Sequence, residues 1–140
     1  MIVLDTNVTS ELMRTVPAPA VVDWLRGQPV DELFTTAITV AEIRYGIARL
    51  PQGERRNLLG SAADEVFWTF ADQILAFDAA AAASYAGIVS HRDRAGTPIS
   101  GFDAQIAAIC LIHGARLATR NVMDFQDTGI DIIDPWQTPE

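Results

Sequence analysis

Short runs of apolar and β-branched residues alternate with longer helical patterns along this chain, and that alternation limits its fold more than any other feature. The predicted strands are Ile2 to Leu4, Leu33 to Ile38, Ile74 to Phe77, Arg116 to Thr119 and Ile130 to Ile133. Alternating strands and helices are typical of a mostly parallel sheet with helices on both faces. The sequence therefore predicts an α/β fold in three layers, α/β/α, around a central, mostly parallel sheet.

The helices are predicted from apolar residues at helical spacing and from stop signals such as Gly114. The first ends near Arg14, and the others run from Ala20 to Arg26, from Thr39 to Leu50, from Glu54 to Phe70, from Asp78 to Arg92 and from Ser100 to His113. In the helix from Glu54, the predicted buried stripe consists of Leu58, Leu59, Ala62, Val66 and Phe70. In the helix from Ser100, the predicted inward-facing residues are Phe102, Ile106, Ile109 and Ile112.

The length and composition are those of one folded domain. With 140 residues, of which 49% are hydrophobic, the chain can bury a core, and we predict a single domain over residues 1–140. No apolar stretch approaches the roughly 20 residues that cross a bilayer, and no basic leader precedes the first strand, so we expect a cytoplasmic protein without membrane contact. The single cysteine, Cys110, lies in an apolar helical pattern and is predicted to be a buried core thiol.

The net charge of -8 argues against simple nucleic-acid binding, because affinity for phosphate usually comes from a basic surface. All ten basic residues are arginines, whose planar guanidinium suits bidentate contacts with phosphate. Weak or assisted nucleic-acid binding, or a basic protein partner, follows as the expectation.

Four acidic residues, Asp5, Glu42, Asp103 and Asp124, each stand where an apolar run ends. Asp5 follows the first strand directly, and ligands of open α/β sheets bind at the carboxyl ends of the strands. Carboxylates from separate segments can supply the oxygen ligands that Mg²⁺ or Mn²⁺ prefers. Without a cation they would repel one another, so the pattern favours a metal site that hydrolyses a phosphate ester.

Helix capping is the alternative role for the first two of these acids. Asp is common as an N-cap, but Thr6 and Asn7 are also available for that role, which favours a functional Asp5. Glu42 ends the sequence Thr39-Val40-Ala41-Glu42, which fits a capping box, so its spacing supports capping and metal binding equally.

The other two acids are ambiguous in the same way. Ser100-Gly101-Phe102-Asp103 resembles a capping motif, and an acidic residue in the first turn also favours the helix dipole. Gly101 permits close backbone approach at that helix end, which slightly favours a binding site. Asp124 lies in a loop, where a solvated turn residue is the default interpretation.

Other chemistries have weaker support. His91 and His113 have no neighbouring Cys or His at zinc-ligand spacing, and no phosphate-binding glycine loop is present. A phosphatase that begins with a strand ending in Asp would need a second Asp where this chain has Asn7. A receiver domain would need a lysine, and the chain has none.

Four segments in order resemble the PIN-domain ribonucleases, and within them the toxins of the VapC and FitB type. These segments are Leu4 to Asn7, Ile38 to Arg44, Asp103 to Ala108 and Thr119 to Phe125, and the closing Asp-Pro-Trp from Asp134 is also similar. Each motif alone is weak, but four at the expected spacing are strong. The resemblance covers nearly the whole chain and implies a PIN-like fold.

The resemblance implies cleavage of RNA that depends on Mg²⁺ or Mn²⁺, with Asp5, Glu42 and Asp103 as the catalytic metal ligands. The fourth acidic position of the family falls at or near Asn121, a neutral amide here, and Asp124 is a possible substitute ligand. This difference leaves open whether one or two cations bind.

Four further residues are candidates for supporting roles at that site. Thr6, Asn7 and Thr119 could orient the ligands or water, although capping explains them as well, and Arg120 could contact phosphate or lie exposed.

The resemblance also implies partners. Relatives of this kind pair with an antitoxin that carries a DNA-binding domain and whose tail blocks the site, and they form homodimers. A basic antitoxin tail would suit the acidic residues. Two alternatives to an RNA-cleaving toxin are a degenerate PIN domain that acts only as a binding partner and a nuclease directed at DNA.

Overall fold

The computed structural model describes residues 1–137, which form a five-stranded sheet and six α-helices. The strands are β1 (Ile2–Leu4), β2 (Leu33–Thr36), β3 (Ile74–Leu75), β4 (Arg116–Ala118) and β5 (Ile132–Ile133). The helices are α1 (Thr6–Leu12), α2 (Pro19–Arg26), α3 (Ala37–Ala48), α4 (Glu54–Thr69), α5 (Ala79–Arg94) and α6 (Gly101–His113), and two short 3-10 turns cover Val30–Glu32 and Val122–Phe125. The last three residues of the domain predicted over 1–140 lie outside the described residues.

The strand order is β3-β2-β1-β4-β5, and each pair of neighbouring strands is parallel. The first strand is central, with Val3 opposite Phe34 of β2 and Leu117 of β4. Since parallel strands end at the same edge, the residues that follow β1, β2 and β4 are brought together there. The predicted parallel sheet is confirmed.

Helices cover both faces of the sheet, as β1 illustrates. Val3 packs with Ile106 and Ile109 of α6 in one core cluster, which also contains the buried Cys110, as predicted. Ile2 and Leu4 point to the opposite face, where they pack in a second cluster under α1 and α2. The alternation of side chains along one strand thus builds two cores, and the predicted α/β/α layering is confirmed.

A third, smaller cluster joins α3 to α4 and corrects the predicted stripe of α4. Ile43 packs there with the buried Ala63 and Phe67, whereas Leu58 is 63% exposed. Val66 and Phe70 of the predicted stripe do pack in the described cores and are confirmed, but the sequence does not reveal that Ala63 and Phe67 also face inward, toward α3.

The start of α3 also differs from the prediction. β2 ends at Thr36, two residues before the predicted Ile38, and α3 begins at Ala37 instead of Thr39. The reason is local, because Thr36 Oγ1 accepts the backbone N–H of Thr39 at 3.1 Å and is therefore the N-cap.

Phe102 was predicted to face inward, but it is 52% exposed. It lies in the first turn of α6, while the residues of this helix that are packed in the core begin at Ala104. None of the helices in residues 1–137 is long and apolar enough to span a membrane.

Candidate active site

Asp5 lies at the carboxyl end of β1 and is only 3% exposed. Its backbone N–H continues the ladder to the carbonyl of Ala118, and its Oδ1 accepts the backbone N–H of Thr6 at 2.8 Å. Asp5 is therefore the N-cap of α1, although the sequence offered Thr6 and Asn7 for that role. Capping uses one of the two carboxylate oxygens.

The second oxygen of Asp5 is held by side chains from two elements. Oδ2 accepts the hydroxyl of Thr119 at 2.7 Å and the amide of Asn7 at 3.3 Å. The Asn7 amide also donates to Thr119 Oγ1 at 3.2 Å, and Asn7 Oδ1 accepts the backbone N–H of Arg120. The backbone N–H of Asn121 donates to Thr119 Oγ1 at 3.0 Å. This network fixes the orientation of the carboxylate and ties the segment after β4 to α1.

Glu42 lies in the second turn of α3, because the helix begins at Ala37. The capping-box alternative for Glu42 is thus wrong, since the residue three positions after the N-cap Thr36 is Thr39. Glu42 is instead bound by Thr6, whose hydroxyl donates to Oε1 at 2.9 Å and lies 3.2 Å from Thr39 Oγ1. The side chain therefore points toward the end of β1.

Asp103 lies in the first turn of α6, as predicted, and Ser100 caps this helix by accepting the backbone N–H of Asp103 at 3.2 Å. Asp103 and the exposed Asp124 line one cavity of about 160 Å³, together with Arg92 and Ser100. The structure thus places Asp124 beside Asp103.

Arg92 was not among the predicted site residues, yet it is buried, with 6% of its surface exposed. Its guanidinium donates to the carbonyls of Thr97, Asp124 and Gln126, the latter two at 3.0 and 2.7 Å. It thus ties the loop before α6 and the turn that carries Asp124 to the end of α5. A signal did exist, because Arg92 lies four residues after the buried Ile88, on the inner face of α5.

The charges of these acids are coupled. Burial raises the pKa of Asp5 from its usual 3.8 to about 6, against hydrogen bonds from Thr119 and Thr6 that lower it, and the charges of Asp103 and Glu42 raise it further. Burial also raises the pKa values of Glu42 and Asp103, and the charge of Asp103 adds to the effect at Glu42. The charge of Asp124 raises the pKa of Asp103, which the positive charge of Arg92 lowers. The first three acids therefore share one electrostatic environment.

The side chains of Asp5, Glu42 and Asp103 offer ligand atoms of the type that a hard divalent cation prefers. All the donors are carboxylate oxygens, and a cation would offset both the burial and the mutual repulsion that raise their pKa values. Within residues 1–137, however, no three His, Cys, Asp or Glu side chains are close enough to form a ready-made metal cage. Asp5 is fixed by its hydrogen bonds, whereas Glu42 and Asp103 are only partly buried.

The remaining predicted site residue, Arg120, is exposed beside this edge. Its guanidinium lies 5.0 Å from the centroid of the Trp136 ring, over its face. Both Arg120 and Asn121 line a separate open cavity that also includes Asp124. Both side chains are exposed, at the periphery of the acidic cluster formed by Asp5, Glu42 and Asp103, and their backbone N–H groups join the hydrogen-bond network around Asp5.

The cysteine is excluded as a nucleophile. Burial raises the pKa of the Cys110 thiol, and the negative charge of Asp5 raises it further. A thiol in this environment remains protonated at neutral pH.

The fold and the site define an α/β protein whose candidate acidic residues lie at the carboxyl edge of a parallel sheet. The PIN domain family profile matches residues 2–130, and this chain belongs to the PIN-domain family. The predicted family resemblance is confirmed.

Relatives and solved structures match over nearly the full length. The chain is 42% identical over 138 residues to the VapC ribonuclease Y4jK of Sinorhizobium fredii, covering 98% of this chain and 99% of that protein. It is 39% identical over 137 residues to the toxin FitB of Neisseria gonorrhoeae, covering 97% and 99%. The structure of FitAB bound to an IR36 DNA fragment matches with a TM-score of 0.91 and 38% identity, covering 100% of this chain and 99% of that chain.

Proposed function

We propose that this chain is an endoribonuclease that depends on a divalent cation and acts, as one PIN domain, as the toxin of a toxin-antitoxin pair. The observation that carries the proposal is that Asp5, Glu42 and Asp103, which come from three separate elements, lie at the same edge of the sheet, where Thr6 holds Glu42 toward the end of β1. Full-length similarity to a VapC ribonuclease and to the toxin FitB supports the choice of RNA as substrate and of a toxin role.

Asp5, Glu42 and Asp103 would hold Mg²⁺ or Mn²⁺, because these cations prefer oxygen ligands. Asp124, which lines a cavity with Asp103, extends the donor set where Asn121 offers only a neutral amide. A cation bound there would supply a water of lowered pKa as the nucleophile and would offset the charge that develops on the phosphate.

The other site residues orient these ligands. Thr119 and Asn7 hold Asp5 in one orientation, and Thr6 holds Glu42 toward it. Arg120 is exposed beside the cluster and is available to contact the RNA phosphate, since guanidinium groups bind phosphate with well-defined geometry.

The acidic composition is consistent with a partner of opposite charge. With a net charge of -8, the chain suits an antitoxin that has a basic tail, and DNA binding would then belong to a domain of that antitoxin. The match to the structure of FitAB bound to a DNA fragment supports a toxin that takes part in a DNA-bound complex. We also propose that the toxin forms a homodimer.

The test is digestion of total cellular RNA by the antitoxin-free protein with Mg²⁺, with Mn²⁺ or with a chelator. Asp103→Asn should reduce Mg²⁺-dependent cleavage by about a hundredfold or more, because it removes a metal ligand. Asp72→Asn is the matched control, since Asp72 is exposed and lies outside the site. Circular dichroism should show that both variants remain folded.

Three results would contradict the proposal. RNA cleavage that is unchanged by chelator would exclude the cation. Calorimetry that finds no divalent cation binding, with no cleavage, would favour a degenerate binding domain. Faster cleavage of single-stranded DNA than of RNA in a parallel digestion would make the protein a DNA-directed nuclease.

A further inference from the structure

Two large aromatic side chains are exposed directly beside the acidic cluster. Tyr45 is 68% exposed and Phe102 is 52% exposed. Together with Ala41 and Glu42 they line one cavity of about 420 Å³. Neither aromatic ring is part of the three core clusters. Packing in the core therefore does not explain why these two positions are aromatic.

Both aromatics are tied to acids of the candidate site by their positions in the chain. Tyr45 follows Glu42 by three residues, so both lie on the same side of α3 in successive turns. Phe102 directly precedes Asp103 in the first turn of α6. The cavity between the two rings is therefore continuous with the acidic cluster through Glu42.

Positive charge also lies beside Glu42 and Tyr45. The Arg49 guanidinium lies 6.0 Å from the centroid of the Tyr45 ring. Glu42 also lines a second cavity of about 440 Å³, whose wall includes Arg14, Arg49 and Arg55. Three of the ten arginines of an acidic chain thus surround one cavity.

Single-stranded RNA has the complementary chemistry, because it carries flat bases that stack on aromatic rings and phosphates that bind arginine. A strand crossing Glu42 could place a base against the aromatic cavity and its phosphates toward the arginines. Base-paired RNA could not, since its bases remain stacked within the helix.

We propose that Tyr45 and Phe102 form a stacking site for an unpaired RNA base next to the phosphate that is cleaved. This inference rests on the proposed ribonuclease function and adds that the substrate is single-stranded at that position. The arginine-lined cavity binds the backbone that continues from the stacked base. The site is tolerant of sequence, because every base has a flat face for stacking.

The experiment compares Tyr45→Ala, Phe102→Ala and the double variant with Tyr45→Trp and Phe102→Trp. Trp68→Ala is the matched control, since Trp68 is 83% exposed and lines neither of the two cavities. Binding of a short, labelled, random-sequence oligoribonucleotide is measured by fluorescence anisotropy in an Asp103→Asn background. Cleavage of the same RNA is measured with each variant in the active protein, and sedimentation gives the oligomeric state.

We expect each alanine variant to weaken RNA binding about tenfold and to raise KM more than it lowers kcat, because one stacking contact is lost. The tryptophan variants should bind RNA about as well as the wild type, because they keep an aromatic ring, and Trp68→Ala should leave binding unchanged. The loss should be specific to single-stranded RNA and should occur without a change in oligomeric state.

Other outcomes would overturn the inference. Unchanged binding and cleavage in the double variant, with an active wild-type protein, would exclude stacking and leave the ribonuclease function intact. A smaller oligomer in the alanine and tryptophan variants alike would assign the cavity to an interface with a second copy. Weaker binding of a basic antitoxin peptide alone would assign it to that partner. A wild-type protein that cleaves no RNA would contradict the ribonuclease function itself.

Discussion

Asp5 and Asp103 stand at the same edge of the sheet, yet the chain holds their surroundings in opposite ways. Around Asp5, several neutral hydrogen-bond donors from α1 and from the end of β4 together hold the carboxylate. Thr119 and Asn7 bind each other as well as Asp5. Around Asp103, one buried guanidinium, that of Arg92, holds both adjacent segments by their carbonyls.

This difference predicts different sensitivities to mutation. A distributed network loses part of its hydrogen bonds when one member is removed, because its other members remain. A single charged group loses all of its contacts at once and leaves several carbonyls unpaired. The region around Asp103 should therefore depend more strongly on one residue than the region around Asp5.

The largest effect is expected for Arg92→Met. Three carbonyl oxygens lose their donor, so the free energy of unfolding should fall by about 3 to 4 kcal/mol. Urea unfolding followed by circular dichroism measures this change. The matched control is Arg94→Met, which removes an exposed guanidinium from the same turn of α5 and should change the stability by less than about 0.5 kcal/mol.

An Arg92→Met protein as stable as the wild type would contradict the inference that the Arg92 side chain alone holds the two segments next to Asp103. Equal losses for Arg92→Met and Arg94→Met would do the same, because a nonspecific effect of charge would then explain both.

The next effect concerns the pH dependence that Asp5 imposes. Its pKa is raised from 3.8 to about 6 in the folded protein, so the folded state disfavours the ionised carboxylate. The folded state therefore retains a proton that the unfolded state has lost, and stability falls as the pH rises from about 4 to about 7. Over that interval the penalty is up to about 3 kcal/mol.

Asp5→Asn removes this titration, so the variant should not lose the stability that the wild type loses through Asp5 as the pH rises. In the presence of a chelator, the free energy of unfolding of the variant minus that of the wild type should therefore be larger at pH 8 than at pH 4.5. Urea unfolding at both pH values measures the difference. Saturating Mg²⁺ at pH 8 should stabilise the wild type and not the variant, because a cation favours the ionised form. A constant difference between the two proteins across this range would contradict the raised pKa.

The layered fold could be predicted because it depends on periodicity, which a sequence shows directly. The position of Asp5 could be predicted for the same reason, since a strand that ends in an acid places that acid at the carboxyl edge of a parallel sheet. The double role of Asp5 as cap and candidate ligand could not be predicted, because the choice between Asp5, Thr6 and Asn7 as cap depends on the backbone geometry at the strand end.

The errors in the prediction have local causes. Thr36 and Thr39 are both suitable caps three residues apart, and choosing Thr39 moved Glu42 from the second turn of α3 into a capping box. Phe102 was predicted to face inward because it lies on the same helical stripe as Ile106, but the core does not reach the first turn of α6, where Phe102 lies. Arg92 was taken as the end of a helix, because a buried arginine that binds only carbonyls has no sequence signature beyond its position on the inner face.

The smallest effect compares two threonines that bind site carboxylates. Thr119 is fully buried, and its hydroxyl oxygen takes part in hydrogen bonds with Asp5, Asn7 and the backbone of Asn121. Thr119→Val should therefore lower the free energy of unfolding by about 2 kcal/mol. Thr6→Val removes the hydrogen bond to Glu42 at a partly buried position and should cost about 0.5 to 1 kcal/mol.

Valine has nearly the same shape as threonine, so both variants test hydrogen bonding without creating a cavity. Thr119→Val should also raise the pKa of Asp5 further, because the Thr119 hydrogen bond lowers it. An NMR titration of the Asp5 carboxyl carbon in metal-free protein measures that shift. If Thr6→Val proved the more destabilising variant, Asp5 would not be held more firmly than Glu42. The contrast between an Asp5 fixed by hydrogen bonds and a less constrained Glu42 would then be wrong.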